Sequence, residues 1–324
     1  MTISEITNST KISEREDRVH LSLNSVPCQA GVLRTGEQVT IADWQGPELA
    51  RPTAVEVIDE LFWQLDTSSL TFEGTAATAF FLDHPVWQKE PDHSRISREA
   101  FYQAREFWLD QPLLTIVPEE WTTTGQVQHP RRPVCGDQIL YSRRVPVLDQ
   151  TVSLRQARPD VDGERFHRWQ NLPRVAEFWE YPFSREALDD MLRERRADPH
   201  SLPLIMQVDG QAIGYFEGYY VLEDRLGPYC EAGPFDQGFH LLVGEEPFLG
   251  EGQAPVWLNC ISHFLFLQEP RTRSLFGEPR ADNKALLRHL GSTTWENLGE
   301  FDFPHKRSAL VRNRRQDFFR NTRL

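Results

Sequence analysis

From Val19 the chain alternates apolar and polar positions, first as VHLSL and then as GVLRTGEQVTIADW. A period of two predicts two or three short strands here. The period then lengthens, with Val57, Ile58, Leu61, Phe62 and Leu65 recurring at helical spacing within Thr53 to Leu65. AATAFFL, near Phe80, reads as a buried strand, and SREAFYQAREFWLD reads as one helix capped by Ser97. HPRRPVCGDQ, His129 to Gln138, is rich in Pro and Arg and is the best boundary candidate.

Beyond it the punctuation is clearer. TVSLRQA, Thr151 to Ala157, is a strand, and a helix starting near Asp162 carries Phe166 and Trp169. Pro173 suits the first turn of a short helix ending at Trp179, and Ser184 caps a third with Leu188, Met191 and Leu192 on one face. PLIMQV and QAIGYFEGYYV flank Asp209-Gly210, a dipeptide favoured in type I′ hairpins. GFHLLV is the next strand, followed by a loop with Gly250 and Gly252 and an apolar helix from Ala254 to about Leu267. SLFGEP is a strand, ADNKALLRHL a helix with Gly291 at its C-cap, and TTWENLGEFDF and KRSALV are strands before a polar tail. Helices separate some strands while hairpins join others. The class is therefore α/β (α+β), with a mixed, mostly antiparallel sheet flanked by helices.

Composition removes several partners from consideration. A chain of 324 residues has room for two domains, and 39% hydrophobic with 26% charged residues describes a soluble globular protein. A net charge of −13 argues against a nucleic acid or an anionic membrane as main partner. No apolar run reaches membrane-spanning length. The polar start MTISEITNSTKISERED is no signal peptide, and residues 1–17 are expected to be disordered. Cys28, Cys135, Cys230 and Cys260 are far apart, which implies reduced thiols in a cytoplasmic protein; the scattered histidines argue for no metal.

The candidate chemistry starts at the joint between GFHLLV and the apolar helix. A strand feeding a glycine loop at a helix N-terminus presents N–H groups to an anion, here those of Gly250, Glu251, Gly252, Gln253 and Ala254. The same joint is also common as plain structure. His240 starts that strand, and alone it is as consistent with a structural histidine as with a functional one. Trp169, Phe178 and Trp179 stand at core-packing spacings. Asp282 reads as an N-cap. Glu217 alternates with buried neighbours on a strand, so it needs a partner: a cationic group of a substrate, or an internal Arg.

The order of elements matches the GNAT acyltransferase superfamily. FHRWQNLPRVAEFWE, GYFEGYYVLEDRLGPY, GFHLLVGE, EPRADN and EFDFPHKRSAL, together spanning about residues 150–310, resemble its siderophore-biosynthesis acyltransferases. After the N-terminal 1–17, the resemblance implies a degenerate GNAT-like domain over 18–145 and a catalytic domain over 146–324. It implies acetyl-CoA as donor and N(6)-hydroxylysine as the acceptor, acetylated on its hydroxylamino nitrogen. Succinyl-CoA, N-hydroxyornithine and N-hydroxycadaverine are alternatives, and so is a non-catalytic scaffold that binds acyl-CoA. The resemblance places Leu242 and Val243 at the thioester and pantetheine, and Glu251 to Ala254 at the pyrophosphate. Pro247 stands where the family's usual loop has Gln or Arg. By the same resemblance His240 binds the N–OH group or relays its proton, Glu278 is the general base, and Trp179 lines the acceptor pocket. His167, Asn171 and Arg174 either bind the acceptor's carboxylate or cap helices; Trp169, Glu217 and Asp282 complete the substrate group. Lys306, Arg307, Arg312, Arg314 and Arg315 form either a solvated surface or an attraction for CoA phosphates. Pathway enzymes and a second copy of the chain are the expected protein partners.

Overall fold

The computed structural model describes residues 13–15, 18–23, 26–80, 84–109, 118–133, 136, 138–250, 252–304 and 306–324. They fall into two compact units: residues up to 107 with 144–149 and 323, and residues 108–143 with 150–322 and 324.

The first unit begins with β1 (Ser13–Arg15), β2 (Arg18–Leu23), β3 (Val26–Thr35) and β4 (Gln38–Gln45). Helix α1 (Arg51–Leu65) leads to β5 (Ser69–Glu73), α2 (Gly74–Ala79), β6 (Gln88–Lys89) and β7 (His93–Ser97). The short helices α3 (Arg98–Gln103) and α4 (Arg105–Trp108) follow. The sheet order is β1-β2-β3-β4-β5-β7-β6, with β4 and β5 parallel across the α1 crossover. The helical-period residues Val57, Ile58, Leu61, Phe62 and Leu65 of α1 are all buried, as an amphipathic stripe against a sheet requires.

Three expectations need correcting here. The AATAFFL region is not a strand: Gly74–Ala79 is helical, consistent with the helix propensity of its alanines. The single helix from Ser97 is two, because Ala104 leaves helical geometry (φ −73°, ψ 93°) so that Phe101, Tyr102 and Trp108 are all buried. Most of segment 1–17 lies outside the described residues, but Ser13–Arg15 within it are a strand.

The second unit contains the hairpin β8 (Trp121–Thr124) and β9 (Val127–Pro130), then β10 (Ile139–Val145) and β11 (Gln150–Gln156). Helices α5 (Pro159–Gln170), α6 (Pro173–Trp179) and α7 (Arg185–Ala197) precede β12 (Ser201–Val208), β13 (Gln211–Tyr220) and β14 (Gln237–Val243). Then come α8 (Gln253–Gln268), β15 (Ser274–Gly277), α9 (Lys284–Leu290), β16 (Glu296–Asp302), β17 (Arg307–Arg314) and α10 (Arg315–Asn321). The order is β10-β11-β12-β13-β14-β15-β17-β16. Asp209 and Gly210 take φ of 47° and 80°, the left-handed pair a type I′ turn demands. Phe166, Trp169, Leu188 and Leu192 from α5 and α7 pack with Tyr215 and Leu242 on one face of the sheet. On the other face Leu265 of α8 approaches Gly218, where a Cβ would lie 3.1 Å from it. The expected polar tail is helix α10, with Phe318 and Phe319 buried among its charged neighbours. Gly291 caps α9 from the right-handed region (φ −63°), not the left-handed one. Among the described residues no helix is long and apolar enough to cross a membrane.

β14 and β15 are parallel partners only at Gln237–Leu275 and Gly238–Phe276; beyond that the strands part.

Candidate active site

A cavity of about 340 Å³ opens where β14 and β15 separate. One end is apolar, lined by Phe239, Leu258, Leu286, Leu290, Trp295 and Val311. The other is aromatic and charged, with Trp179, Tyr181, Arg195, Asp224, Arg225 and Lys306. Strand alternation produces this division, because Phe239 and Leu241 face one way and His240 the other.

His240 sits midway along β14, not at its start, and Glu217 is its register partner on β13. Glu278 follows directly after β15, and its Oε1 lies 3.1 Å from His240 Nε2. On the other side of the ring, Nδ1 is 3.7 Å from Glu217 Oε1. Each carboxylate has a tyrosine on the same face two residues from Glu217. Tyr219 donates to Glu278 Oε2 at 2.9 Å, and Tyr215 donates to Glu217 Oε2 at 2.7 Å. Arg225 donates to Glu278 Oε1 at 3.2 Å, and Lys306 donates to the Glu278 backbone carbonyl at 3.0 Å. The Tyr219 ring lies 4.8 Å from the His240 ring.

These contacts fix the charge states. Burial pulls the His240 pKa down, but Glu278 and Glu217 outweigh it and push it up from 6.5 to about 10. Burial favours a neutral Glu278, whose side chain is 1% exposed, yet His240, Lys306 and Arg225 hold its carboxyl well below the usual range. Glu217 is lowered against burial by His240 and Arg195. Burial and the facing carboxylates raise Tyr215 and Tyr219 well above the usual phenol value. Near neutral pH, His240 is therefore an imidazolium between two carboxylates. A carboxylate held as low as Glu278 is a weak base.

Backbone geometry refines the thioester cradle. Gly244 N–H bonds to Ile213 O, so in the antiparallel ladder the amide and carbonyl of Leu242 also point toward β13. Leu241 and Val243 face the open side instead. The expectation for Leu242 is thus off by one residue, while Val243 stays. Trp179 Nε1 donates to Leu241 O at 3.2 Å, and Arg174 donates to Val243 O and Gly244 O, each at 2.7 Å. The carbonyls of Leu241 and Val243 face the side from which β15 has parted, and that of Gly244 lies just past the end of β14; the two side chains satisfy all three.

At the start of α8, Gly252 is the N-cap with φ +84°, a conformation strained for any other residue except Asn or Asp. Gly250 N–H is taken by Gln253 Oε1 at 3.0 Å, and Gln253 N–H by Gly250 O at 3.2 Å. Gly252 and Ala254 contribute the remaining amides of that turn, and Glu251 lies outside the described residues.

The structure brings His240, Glu278, Glu217 and Trp179 to one cavity. It does not bring the other expected substrate residues there. Trp169 is 1% exposed and packs on Gly244, where a Cβ would come within 2.2 Å of its ring; its Nε1 bonds Glu245. Asn171 donates to His167 O and Phe183 O at the end of α5, and His167 lines a separate surface groove. Arg174 is committed to β14 carbonyls rather than to a ligand's carboxylate. Asp282 is paired with Arg280, and the N-cap of α9 is Asn283, which accepts from Leu286 N. In the basic tail, Lys306 reaches Glu278, while Arg307 pairs with Glu300 and Arg312 with Glu296. Sequence reasoning missed Tyr215, Tyr219, Asp224, Arg225 and Arg195. The Tyr-x-Glu-x-Tyr alternation on β13 was the available signal for the first two.

A mixed sheet parted at its parallel pair, with an anion-ready helix start and a charged cluster at the gap, is a frame for bringing two reactants together across a strand opening. Residues 158–303 match the family model described as the acetyltransferase (GNAT) domain. The chain is 39% identical over 289 residues to an N(6)-hydroxylysine O-acetyltransferase of Escherichia coli, covering 86% of this chain and 88% of that protein. It is 35% identical over 275 residues to an N(5)-hydroxyornithine:cis-anhydromevalonyl coenzyme A-N(5)-transacylase of Beauveria bassiana (strain ARSEF 2860), covering 81% of this chain and 57% of that one. Among solved structures, an uncharacterized protein from Bacillus halodurans superposes with a TM-score of 0.52 at 26% identity, over 55% of this chain and 91% of that one. The chain belongs to the GNAT acetyltransferase family and is an acyltransferase.

Proposed function

We propose that this enzyme transfers the acetyl group of acetyl-CoA to the hydroxylamino nitrogen of N(6)-hydroxylysine, forming a hydroxamate for siderophore biosynthesis. An acyl-CoA donor places the reaction in the cytoplasm. The observation that carries the reading is His240, held between Glu217 and Glu278 where the apolar and charged ends of the cavity meet. The donor's pyrophosphate fits the Gly252 turn at the start of α8, and its pantetheine fits the open edge of β14 at Leu241 and Val243. The first unit is a degenerate copy of the same fold.

The chemistry asks little of a base. A hydroxylamine is far less basic than an alkyl amine, so its nitrogen is neutral near pH 7 and can attack without prior deprotonation. The C–N bond forms, the C–S bond breaks, and the proton from nitrogen ends on the departing sulfur. Two tasks remain for the protein, holding the reactants in line and fixing the charge around them. The looser of His240's two contacts is at Nδ1, so that N–H is the one free to turn to the acceptor's hydroxyl oxygen. Glu278 keeps the imidazole protonated and oriented through the tighter contact.

The test is to incubate the protein with acetyl-CoA and N(6)-hydroxylysine, with lysine as control, and to follow thiol release together with ferric-hydroxamate colour. Thiol release with colour places the new bond on nitrogen, whereas release without colour places it on oxygen. Absence of thiol release with any hydroxylated amine would overturn the proposal.

A further inference from the structure

The charged end of the cavity holds more cations than the transfer step uses, and their commitments differ. Arg225 and Lys306 both reach Glu278. Arg280 is engaged by Asp282 through Nε and NH2 and by the Glu177 carbonyl through NH1. His240 lies between two carboxylates. Arg195, on the last turn of α7, is different. Its closest approach to a carboxylate is Nε to Glu217 Oε2 at 3.5 Å, and its guanidinium makes no hydrogen bond among the described residues. The side chain is 37% exposed and lines the cavity.

We infer that Arg195 is the acceptor's carboxylate anchor, so that the site selects an amino acid bearing a hydroxylated side-chain amine over a simple hydroxylated diamine. The inference rests on the acyl-transfer reading and deepens it. A guanidinium fork matches a carboxylate in two parallel bonds, and Arg195 presents such a fork. Arg195 and His240 Nδ1 face the same Glu217 carboxylate from two sides. An acceptor whose carboxylate rests on Arg195 and whose N–OH group rests on His240 therefore straddles Glu217. That arrangement also puts the acceptor's α-ammonium beside an anion.

The test compares N(6)-hydroxylysine with N-hydroxycadaverine, which has the same chain without the carboxylate, on wild type, Arg195→Gln and Arg195→Lys. Steady-state kinetics are paired with calorimetric binding of each acceptor. Wild type should favour hydroxylysine. Arg195→Gln should raise its KM by roughly 10- to 100-fold while leaving KM for hydroxycadaverine within about twofold. Arg195→Lys should recover part of the loss. A merely structural Arg195 would damage both acceptors equally, and that result, or a wild type that does not discriminate, overturns the inference. If wild type acylates neither compound, the acyl-transfer reading fails; the binding arm still judges Arg195, since equal affinities for the two acceptors would refute the anchor.

Discussion

The two units of this chain run their sheets in one order. β2-β3-β4-β5-β7-β6 of the first repeats β12-β13-β14-β15-β17-β16 of the second, each with a helical crossover into a parallel pair, β4–β5 and β14–β15. The differences fall at the candidate site. In both, the fifth strand opens on Ser-Leu, with Leu275 paired to Gln237 and Leu70 paired to Val39. Three residues further along each strand stand His240 and Glu278 in the second unit, but Ala42 and Glu73 in the first. Parallel pairing stops after Phe276 in the second unit and runs on to Ile41–Phe72 in the first, so the first gap opens later. Helix α8 starts on left-handed Gly252, whereas α1 starts from Ala50 in an extended conformation (φ −61°, ψ 149°). Between β11 and β12 the second unit inserts α5, α6 and α7, which supply Trp179 and Arg195; only residues 16 and 17 separate β1 from β2. A sheet order is thus cheap to repeat, and what sets the second unit apart is an early splay, a glycine helix start and a wall of helices.

The largest expected effect comes from removing what the first unit lacks. His240→Ala should lower kcat by roughly 100-fold or more, with acetyl-CoA binding by calorimetry unchanged. A variant as fast as wild type would leave the imidazole as packing, and the contrast with Ala42 would lose its meaning. Next in size is the helix start. Gly252→Val forces a β-branched residue to φ +84°, a strain of about 1–2 kcal/mol. The donor KM should rise roughly tenfold while the acceptor KM stays put. An equal rise in both constants would remove the pyrophosphate from that turn.

The charged cluster should also make stability depend on pH. His240 has a folded pKa raised from 6.5 to about 10, so its contribution is complete below pH 6.5 and fades as pH climbs to 10. Glu278 is shifted down, so its contribution is full above its ordinary 4.5 and is lost as pH falls below that. The cluster is therefore most stabilising between pH 4.5 and 6.5. Urea midpoints of the second unit should drop from pH 6 to pH 9.5, and the drop should shrink in His240→Gln. A drop of the same size in the variant would place the titrating group elsewhere.

Much of this frame was legible in the sequence, for local reasons. Pro173, Ser184 and Asp209-Gly210 mark a helix start, a cap and a turn through their own stereochemistry, and the structure has each in place. His240 and Glu278 could be paired because the family resemblance makes β14 and β15 neighbours. What stayed hidden depends on distant partners. Arg174 reads as a carboxylate ligand or a helix cap until β14's orphaned carbonyls come beside it, and Arg225 and Lys306 reach Glu278 from separate loops. The one-residue error at Leu242 has a related cause, since only the ladder with β13 says which amides face the gap. Phe318 and Phe319 were masked by the arginines around them, although two adjacent aromatics can both be buried at a helix's inner edge.

The smallest effect is the sharpest test of the comparison. Glu73 occupies the position of Glu278, but it is exposed and makes no side-chain cap bond at the start of α2. Ala42 offers no imidazole to turn such a carboxylate into half of a charged pair. Glu73→Gln should therefore leave kcat and both KM values within about twofold, and folding stability within roughly 0.5 kcal/mol, as for an ordinary surface substitution. Alone, a null result there would be weak, but beside a large loss in Glu278→Gln it shows that the same residue at the same sheet position is inert without its imidazolium. Were Glu73→Gln to cost activity on the scale of His240→Ala, the first unit would share in the chemistry. Sheet order alone would then be a better guide to function than the splay, the glycine turn and the helical wall.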